Sequence, residues 1–239
     1  MAAPLVRRSP IHTGRVLAVT SLTPRMRRVV VQSEAMRDLV IRPAQDIELL
    51  LREGSGRRVK RRYTIRRARP DAGELDLDVL LHGAGPGSAW GRDATPGDPV
   101  QFQGPRGKLT LTRANWHLLC GDESALPAIA AICEALPADE AAIAVIEVQD
   151  SADELPVAAD MHWVHRAERS PGTPDLIMAA VGGLRLPVGA GHAYLLGETR
   201  SMVSLRAQLE SRGIAHEAIF VKGYWNVARP DRIAGRAPQ

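Results

Sequence analysis

The stretch Glu74-Leu75-Asp76-Leu77-Asp78-Val79 alternates charged and apolar residues without a break. A strand with one wet and one dry face requires that period of two. Short runs around it predict further strands, giving 14–19, 26–32, 46–51, 59–66, 74–81 and 98–103 in all. Turn signals stand between them at Pro24, Pro43, Gly54-Ser55-Gly56 and Pro70-Asp71, so the first half reads as a small antiparallel barrel. Beyond residue 114 the pattern changes. Strands are predicted over 116–120, 142–148, 161–165, 192–196 and 214–221, and helices over 124–136, 174–181 and 199–212. Strand and helix in turn argue a mainly parallel sheet covered by helices, a class that binds nucleotides beyond the carboxyl ends of its strands. The chain divides into 1–113, 114–227 and a tail, 228–239, where Pro230, Gly235 and Pro238 stand without an apolar period.

Charge supports that division. Residues 1–113 carry 21 Lys+Arg against 11 Asp+Glu, whereas residues 114–239 carry 10 against 16, so the halves are net +10 and −6. Opposite signs suggest two domains with different partners. A basic half invites a nucleic-acid reading, but aromatic residues make up only 4% of the chain and no nucleic-acid motif is present. Arg7 and Arg8 are followed by no apolar run of a secretory signal, and no apolar stretch reaches the roughly 20 residues that cross a bilayer. Cys120 and Cys133 form neither a Cys-x-x-Cys pair nor a disulfide framework, which fits buried packing and a cytoplasmic location.

Three stretches carry candidate chemistry. In Arg61-Arg62-Tyr63-Thr64-Ile65-Arg66, a strand puts Arg61 and Tyr63 on one face and Arg62, Thr64 and Arg66 on the other. Guanidinium for pyrophosphate, phenol for stacking and hydroxyl for a ring heteroatom make a kit for a flavin nucleotide; the alternative is a solvated basic face. In His82-Gly83-Ala84-Gly85-Pro86-Gly87-Ser88-Ala89-Trp90, small residues lead into a short helix, where backbone N–H groups can close on an anion. Ordinary turn chemistry, a packed His82 and a core Trp90 are the alternatives there. In Gly121-Asp122-Glu123-Ser124-Ala125-Leu126-Pro127, Gly121 allows a sharp exit from a strand, Ser124 can cap the next helix, and Pro127 falls in its first turn. No Gly-x-Gly-x-x-Gly fingerprint, zinc-type His/Cys cluster or Ser-His-Asp arrangement is found.

Arg61-x-Tyr63-Thr64 resembles the flavin motif of the ferredoxin-reductase superfamily, and with Arg66 it resembles that of the siderophore-interacting protein family. The run from Gly121 to Ile129 is similar to that family's Gly-Asp-Glu-Thr-Ala-Leu-Pro-Ala-Ile, with Ser124 in place of Thr. Further matches are Gly104-Pro105-Arg106-Gly107, Glu147-Val148-Gln149-Asp150, Trp163-Val164-His165-Arg166, Tyr194-Leu195-Leu196-Gly197-Glu198 and Gly223-Tyr224-Trp225. Asn226 departs from the basic residue the family tends to carry after Gly-Tyr-Trp, the nearest charges being Arg229 and Arg232.

The resemblance implies an N-terminal antiparallel Greek-key barrel that binds FAD and a C-terminal ferredoxin-reductase-like α/β domain that binds NADPH or NADH. It implies hydride transfer to FAD, then single electrons to the iron of a ferric siderophore complex, with no metal ligands from the protein. The implied cofactor-binding residues are Arg61, Tyr63, Thr64, Arg66, His82, Gly87, Ser88, Trp90, Gly121, Asp122, Glu123, Ser124, Ala125 and Trp225. For the substrate, Lys60, Arg66 and Lys222 are the expected cations, because Lys is scarce here, Lys108 being the third. A monomer with no nucleic-acid or integral-membrane partner is expected. A flavin reductase for another acceptor and a non-catalytic siderophore-binding flavoprotein stay open.

Overall fold

A computed structural model describes residues 10–54 and 56–228. Ser55, the segment with Arg7 and Arg8, and all of the expected tail except Ala228 lie outside the described residues, with Arg229 and Arg232. Six strands, β1 (His12–Ser21), β2 (Met26–Gln32), β3 (Asp46–Arg52), β4 (Arg58–Arg69), β5 (Glu74–Leu80) and β6 (Pro99–Arg106), close into a barrel in the order β1-β2-β5-β4-β3-β6. Every pairing is antiparallel, and β2 returns to lie beside β5 of the β3-β4-β5 meander, which is a Greek key. Closure leaves no strand edge unpaired. Val29, Val31, Ile47, Leu49, Leu75, Leu77 and Phe102, all fully buried, fill it.

The predicted wet face of β5 is not wet. Asp76 and Asp78 are only 3% and 7% exposed. Arg69 covers Asp76 with bonds of 3.1 and 2.5 Å, and Arg28 covers Asp78 with bonds of 2.6 and 2.8 Å. A period of two reports which face a residue takes, and arginine stems laid across the sheet decide whether that face meets water.

The second half is a five-stranded sheet, β7 (Trp116–Asp122), β8 (Ala141–Val148), β9 (Asp160–His165), β10 (Gly191–Glu198) and β11 (Ile219–Trp225), in the order β11-β10-β7-β8-β9. All four pairings are parallel. Helix α2 (Leu126–Ala135) covers one face, and α3 (Asp175–Gly183) with α4 (Thr199–Ser211) the other. Helix α1 (Pro86–Asp93) belongs to the barrel half. β7 is buried along its whole length, as a strand covered on both faces must be. Strand order reverses beside β7, which puts the nucleotide crevice at the C-terminal ends of β7 and β10.

The last strand departs from the sequence reading. After a turn at Arg212 and Gly213, residues 214–218 run through an irregular stretch into a short 3-10 segment, and pairing with β10 carries β11 on through Trp225. Gly223 and Trp225 therefore stand opposite Gly197 and Glu198 at the crevice. Apolar Ile214 misleads because it packs against the α3/α4 side without joining the sheet.

The two halves pack closely. Ala44 of the barrel and Leu109 of the connection are buried in the α2-side core. Polar ties add to this: Arg25 to Asp150 and Asp153, Arg66 to Glu134, and Lys222 to Asp46.

Candidate functional site

β4 presents its predicted residues to two sides. Val59 and Ile65 point into the barrel core, and Tyr63 packs against the same cluster. An irregularity between Ile65 and Arg67 then breaks the alternation. Tyr63 is tilted against Trp90 of α1 at 5.9 Å between ring centres, so Trp90 serves first as packing for Tyr63 and the barrel. Burial raises the Tyr63 pKa, against the pull of Arg61, so the phenol stays neutral.

Gly87 is required by that arrangement. A Cβ there would lie 2.3 Å from the Tyr63 hydroxyl and 3.5 Å from Cγ of Arg61. The first turn of α1 is thus drawn onto the strand. Intrahelical bonding begins with the Ala89 N–H, which donates to Gly85 O, so the N–H groups of Gly87 and Ser88 stay available at the helix start. The Ser88 hydroxyl is committed elsewhere: it accepts from His82 N–H at 3.0 Å and donates to His82 O at 2.6 Å. It ties the loop to the end of β5, and any anion contact from Ser88 comes from its backbone. Among the described residues Arg61 donates only to Lys60 O, at 3.0 Å, and has no carboxylate partner. In a barrel whose neighbouring arginines are paired, Arg62 with Asp46 and Arg66 with Glu134, this guanidinium beside the start of α1 is unspent.

The other face of β4 meets the α/β half. The Thr64 hydroxyl lies 3.5 Å from the Tyr224 hydroxyl of β11. Arg66 holds Glu134 of α2 with bonds of 2.8 and 2.5 Å, and this pairing holds the Glu134 carboxyl below its usual range. Lys222 lies 4.9 Å from the centre of the Tyr224 ring and donates to Asp46 at 2.9 Å, while Arg62 holds the same carboxylate. Lys60 donates to Glu48 at 2.7 Å and to Gln103 at 2.8 Å, and Arg106 lies 3.2 Å from Glu48. The expected cations are therefore not free charges. Lys60, Arg62, Arg106 and Lys222 share two carboxylates in one stripe that remains cationic.

At the crevice, Asp122 organises the turn. Its Oδ1 accepts from Ser124 N–H at 2.9 Å and from the Ser124 hydroxyl at 2.5 Å; its Oδ2 accepts from Glu198 N–H at 2.9 Å and from Trp225 Nε1 at 2.8 Å. One carboxylate thus joins the ends of β7, β10 and β11. Ser124 does not cap α2 as expected, because its hydroxyl is spent on Asp122 and α2 opens at Leu126, with Pro127 in its first turn. Gly121 lies inside β7, where a Cβ would meet Leu196 O at 2.4 Å. Close approach of β10, not a sharp exit, demands glycine. Ala125 is fully buried, and Glu123 turns inward to Arg166 at 2.6 Å. Partial desolvation lowers the His82 pKa, Asp122 opposing and Arg92 reinforcing the shift.

Arg61, Tyr63 and Gly87 thus meet at one place, Asp122, Ser124 and Trp225 at a second, and Thr64 with Tyr224 bridges the halves. Tyr224, Asp46, Glu147 and Arg166 belong to this region and were not singled out as site residues. A signal for Tyr224 exists in its alternation with Lys222; none marks Asp46. Among the described residues no group of three His, Cys, Asp or Glu is placed to hold a metal, and no helix is long and apolar enough to cross a membrane.

Comparisons with known proteins bear on the family and the fold. The family model "Siderophore-interacting protein" matches residues 114–228, and "Siderophore-interacting FAD-binding domain" matches residues 50–109. The chain is 33% identical to the ferric vibriobactin reductase ViuB of Vibrio cholerae over 192 residues, 75% of this chain and 71% of that protein. It is similar to the crystal structure of a siderophore utilization protein from T. fusca, with a TM-score of 0.86 and 29% identity over 94% of this chain and 96% of that one. The FAD/NAD-binding domain of a Vibrio cholerae nitric oxide dioxygenase, at 17% identity and a TM-score of 0.71 over 92% of this chain and 100% of that one, shares the ferredoxin-reductase-like fold. Barrel, sheet and matched motifs agree: the chain belongs to the siderophore-interacting protein family, a flavoprotein oxidoreductase family, and carries that family's FAD-binding domain.

Proposed function

We propose that this protein is a reductase of ferric siderophore complexes that uses NAD(P)H as its electron source and works in the cytoplasm as a monomer. The observation that carries the reading is Arg61: an unpaired guanidinium beside the first turn of α1, on the strand that also bears Tyr63 and Thr64. A pyrophosphate satisfies both Arg61 and the free N–H groups of Gly87 and Ser88, with Tyr63 beside them for ring packing. FAD supplies acceptance of a hydride and release of electrons one at a time. The chain supplies the rest. Thr64 offers a hydroxyl at the junction of the halves, the 121–125 turn and Trp225 form the floor for the donor, and the cationic stripe from Lys60 to Lys222 draws an anionic ferric complex. Arg66 acts by joining the halves through Glu134 rather than by touching a ligand.

Anaerobic titration of the FAD-loaded protein with NADH and NADPH separately, followed by reoxidation with a panel of ferric chelates, tests the reading. Bleaching by a nicotinamide and return of colour with ferric siderophores are expected. Reoxidation by other acceptors but by no ferric chelate would instead favour the general flavin-reductase alternative. Lys60→Ala is expected to raise the apparent KM for an anionic chelate and to flatten its salt dependence, since screening shortens from about 10 Å at 0.1 M to about 3 Å at 1 M. Equal reduction of neutral and anionic chelates by wild type and variant removes the stripe from the substrate site.

A further inference from the structure

We propose that Glu123 and Glu147, two buried carboxyls sharing the single guanidinium of Arg166 beneath the 121–125 turn, hold one proton between them, and that its loss weakens binding of the anionic hydride donor at that turn. The proposal rests on the donor reading of this turn given above.

The geometry is a charge imbalance with no outlet. Glu123, Glu147 and Arg166 are 5%, 5% and 7% exposed. Arg166 lies 2.6 Å from Glu123 and 3.9 Å from Glu147 through the same nitrogen, and its Nε has no hydrogen-bond partner among the described residues. Glu123 also accepts the Gln149 N–H at 3.0 Å, so Glu123 is the better hydrogen-bonded carboxylate and Glu147 the poorer one. β7 contributes Asp122 directly opposite in register, with Glu123 just beyond it. The segment after β9 contributes Arg166, and His165 is turned away to Glu154 at 2.7 Å. β10 contributes Glu198, whose oxygens accept from Ser201 and Val227 N–H, and α3 brings only the exposed Asp175 in its first turn. Two buried carboxylates with one guanidinium, beside a third carboxylate, cannot all be charged cheaply.

Burial pushes the Glu147 carboxyl up to about 7, with Arg166 opposing and Asp122 and Glu123 adding to the rise. Burial raises Glu123 as well, and Arg166 works against it. The folded protein therefore holds this proton more tightly than the unfolded chain. Its contribution to stability is full below the ordinary 4.5 and is lost as pH rises through about 7. With the proton in place the triad is neutral. Without it, one uncompensated negative charge lies under the crevice where a donor's pyrophosphate docks.

The test uses the FAD-loaded protein, wild type and Glu147→Gln, the amide keeping the shape of the neutral acid. The probe is ADP-ribose, whose pyrophosphate stays ionised throughout. Its dissociation constant is expected to rise about threefold to tenfold from about pH 6 to about pH 8 in wild type, and to stay within about twofold in Glu147→Gln. Equal pH slopes in the two proteins overturn the coupling. Independently of any variant, wild type near pH 6 should show the infrared carbonyl stretch of a buried protonated carboxyl that fades as pH rises through about 7. Absence of that band overturns the shared proton itself. Failure of ADP-ribose to bind at any pH, with the band present, overturns the donor reading of the turn and the coupling with it, while leaving the shared proton standing.

Discussion

The turn from β5 into α1 and the turn from β7 into α2 follow one plan, a buried strand, a glycine under steric demand and a helix with Pro in its first turn, yet they end with opposite electrostatics. In the first, the Ser88 hydroxyl closes the loop on the backbone of β5, leaving free N–H groups and unpaired Arg61 facing outward. In the second, Asp122 closes the turn and binds three strand ends, so that Glu123 and Glu147 are left inward with one Arg166. A neutral closing group leaves a site for a strongly held anion. A charged one gives a rigid floor with little positive charge to spare. That contrast fits a resident FAD on the barrel side and a transient donor on the sheet side.

The comparison can be broken most severely at Gly121. Gly121→Val drives a branched side chain against Leu196 O and is expected to destabilise the α/β half by about 3 kcal/mol or more, seen as a large fall in melting temperature. A loss under about 1 kcal/mol would show that β10 can yield. Asp122→Asn comes next, since an amide cannot accept on both sides. Loss of part of the four-bond set is expected to cost about 2 kcal/mol, shift the Trp225 fluorescence and slow hydride transfer, with FAD retained. Unchanged fluorescence would sever Asp122 from Trp225.

On the barrel side, Arg61→Ala should weaken FAD about tenfold to a hundredfold, the worth of charge-assisted bonds of about 1.5–3 kcal/mol. The melting temperature without FAD should not move, because Arg61 has no carboxylate partner among the described residues. Unaltered FAD affinity would take the pyrophosphate away from this corner. Tyr63→Ala should loosen FAD about tenfold, and Tyr63→Phe, which keeps the ring against Trp90, by no more than about twofold. The smallest effect is expected from Glu134→Gln, which removes one of the ties between the halves: less than about 1 kcal/mol, since the Glu134 side chain is 40% exposed. Because Arg66 lowers the Glu134 pKa, that contribution is present above the ordinary 4.5 and disappears as pH falls through the lowered value. A wild-type and Glu134→Gln difference that instead grows toward acid would contradict the sign.

What the amino-acid sequence determines here is local and periodic. Alternation in β5, the strand-and-helix rhythm after residue 114 and the spacing of Arg61, Tyr63 and Thr64 all follow from neighbours along the chain, and each is found in place. The barrel and sheet were legible for that reason. Partners chosen across the chain were not. Asp76 and Asp78 read as solvent-facing until Arg69 and Arg28 cover them, and Lys60 and Lys222 read as free rim charges until Glu48 and Asp46 take them. Asp122 shows the division most plainly. Its position after a buried strand is written in the sequence, whereas its four donors come from residues 124, 198 and 225, brought together only when three parallel strands end at one crevice. Sequence order fixes which face a side chain takes, and only tertiary closure decides what charge it meets there, because an ion pair depends on distance in space and not on separation along the chain.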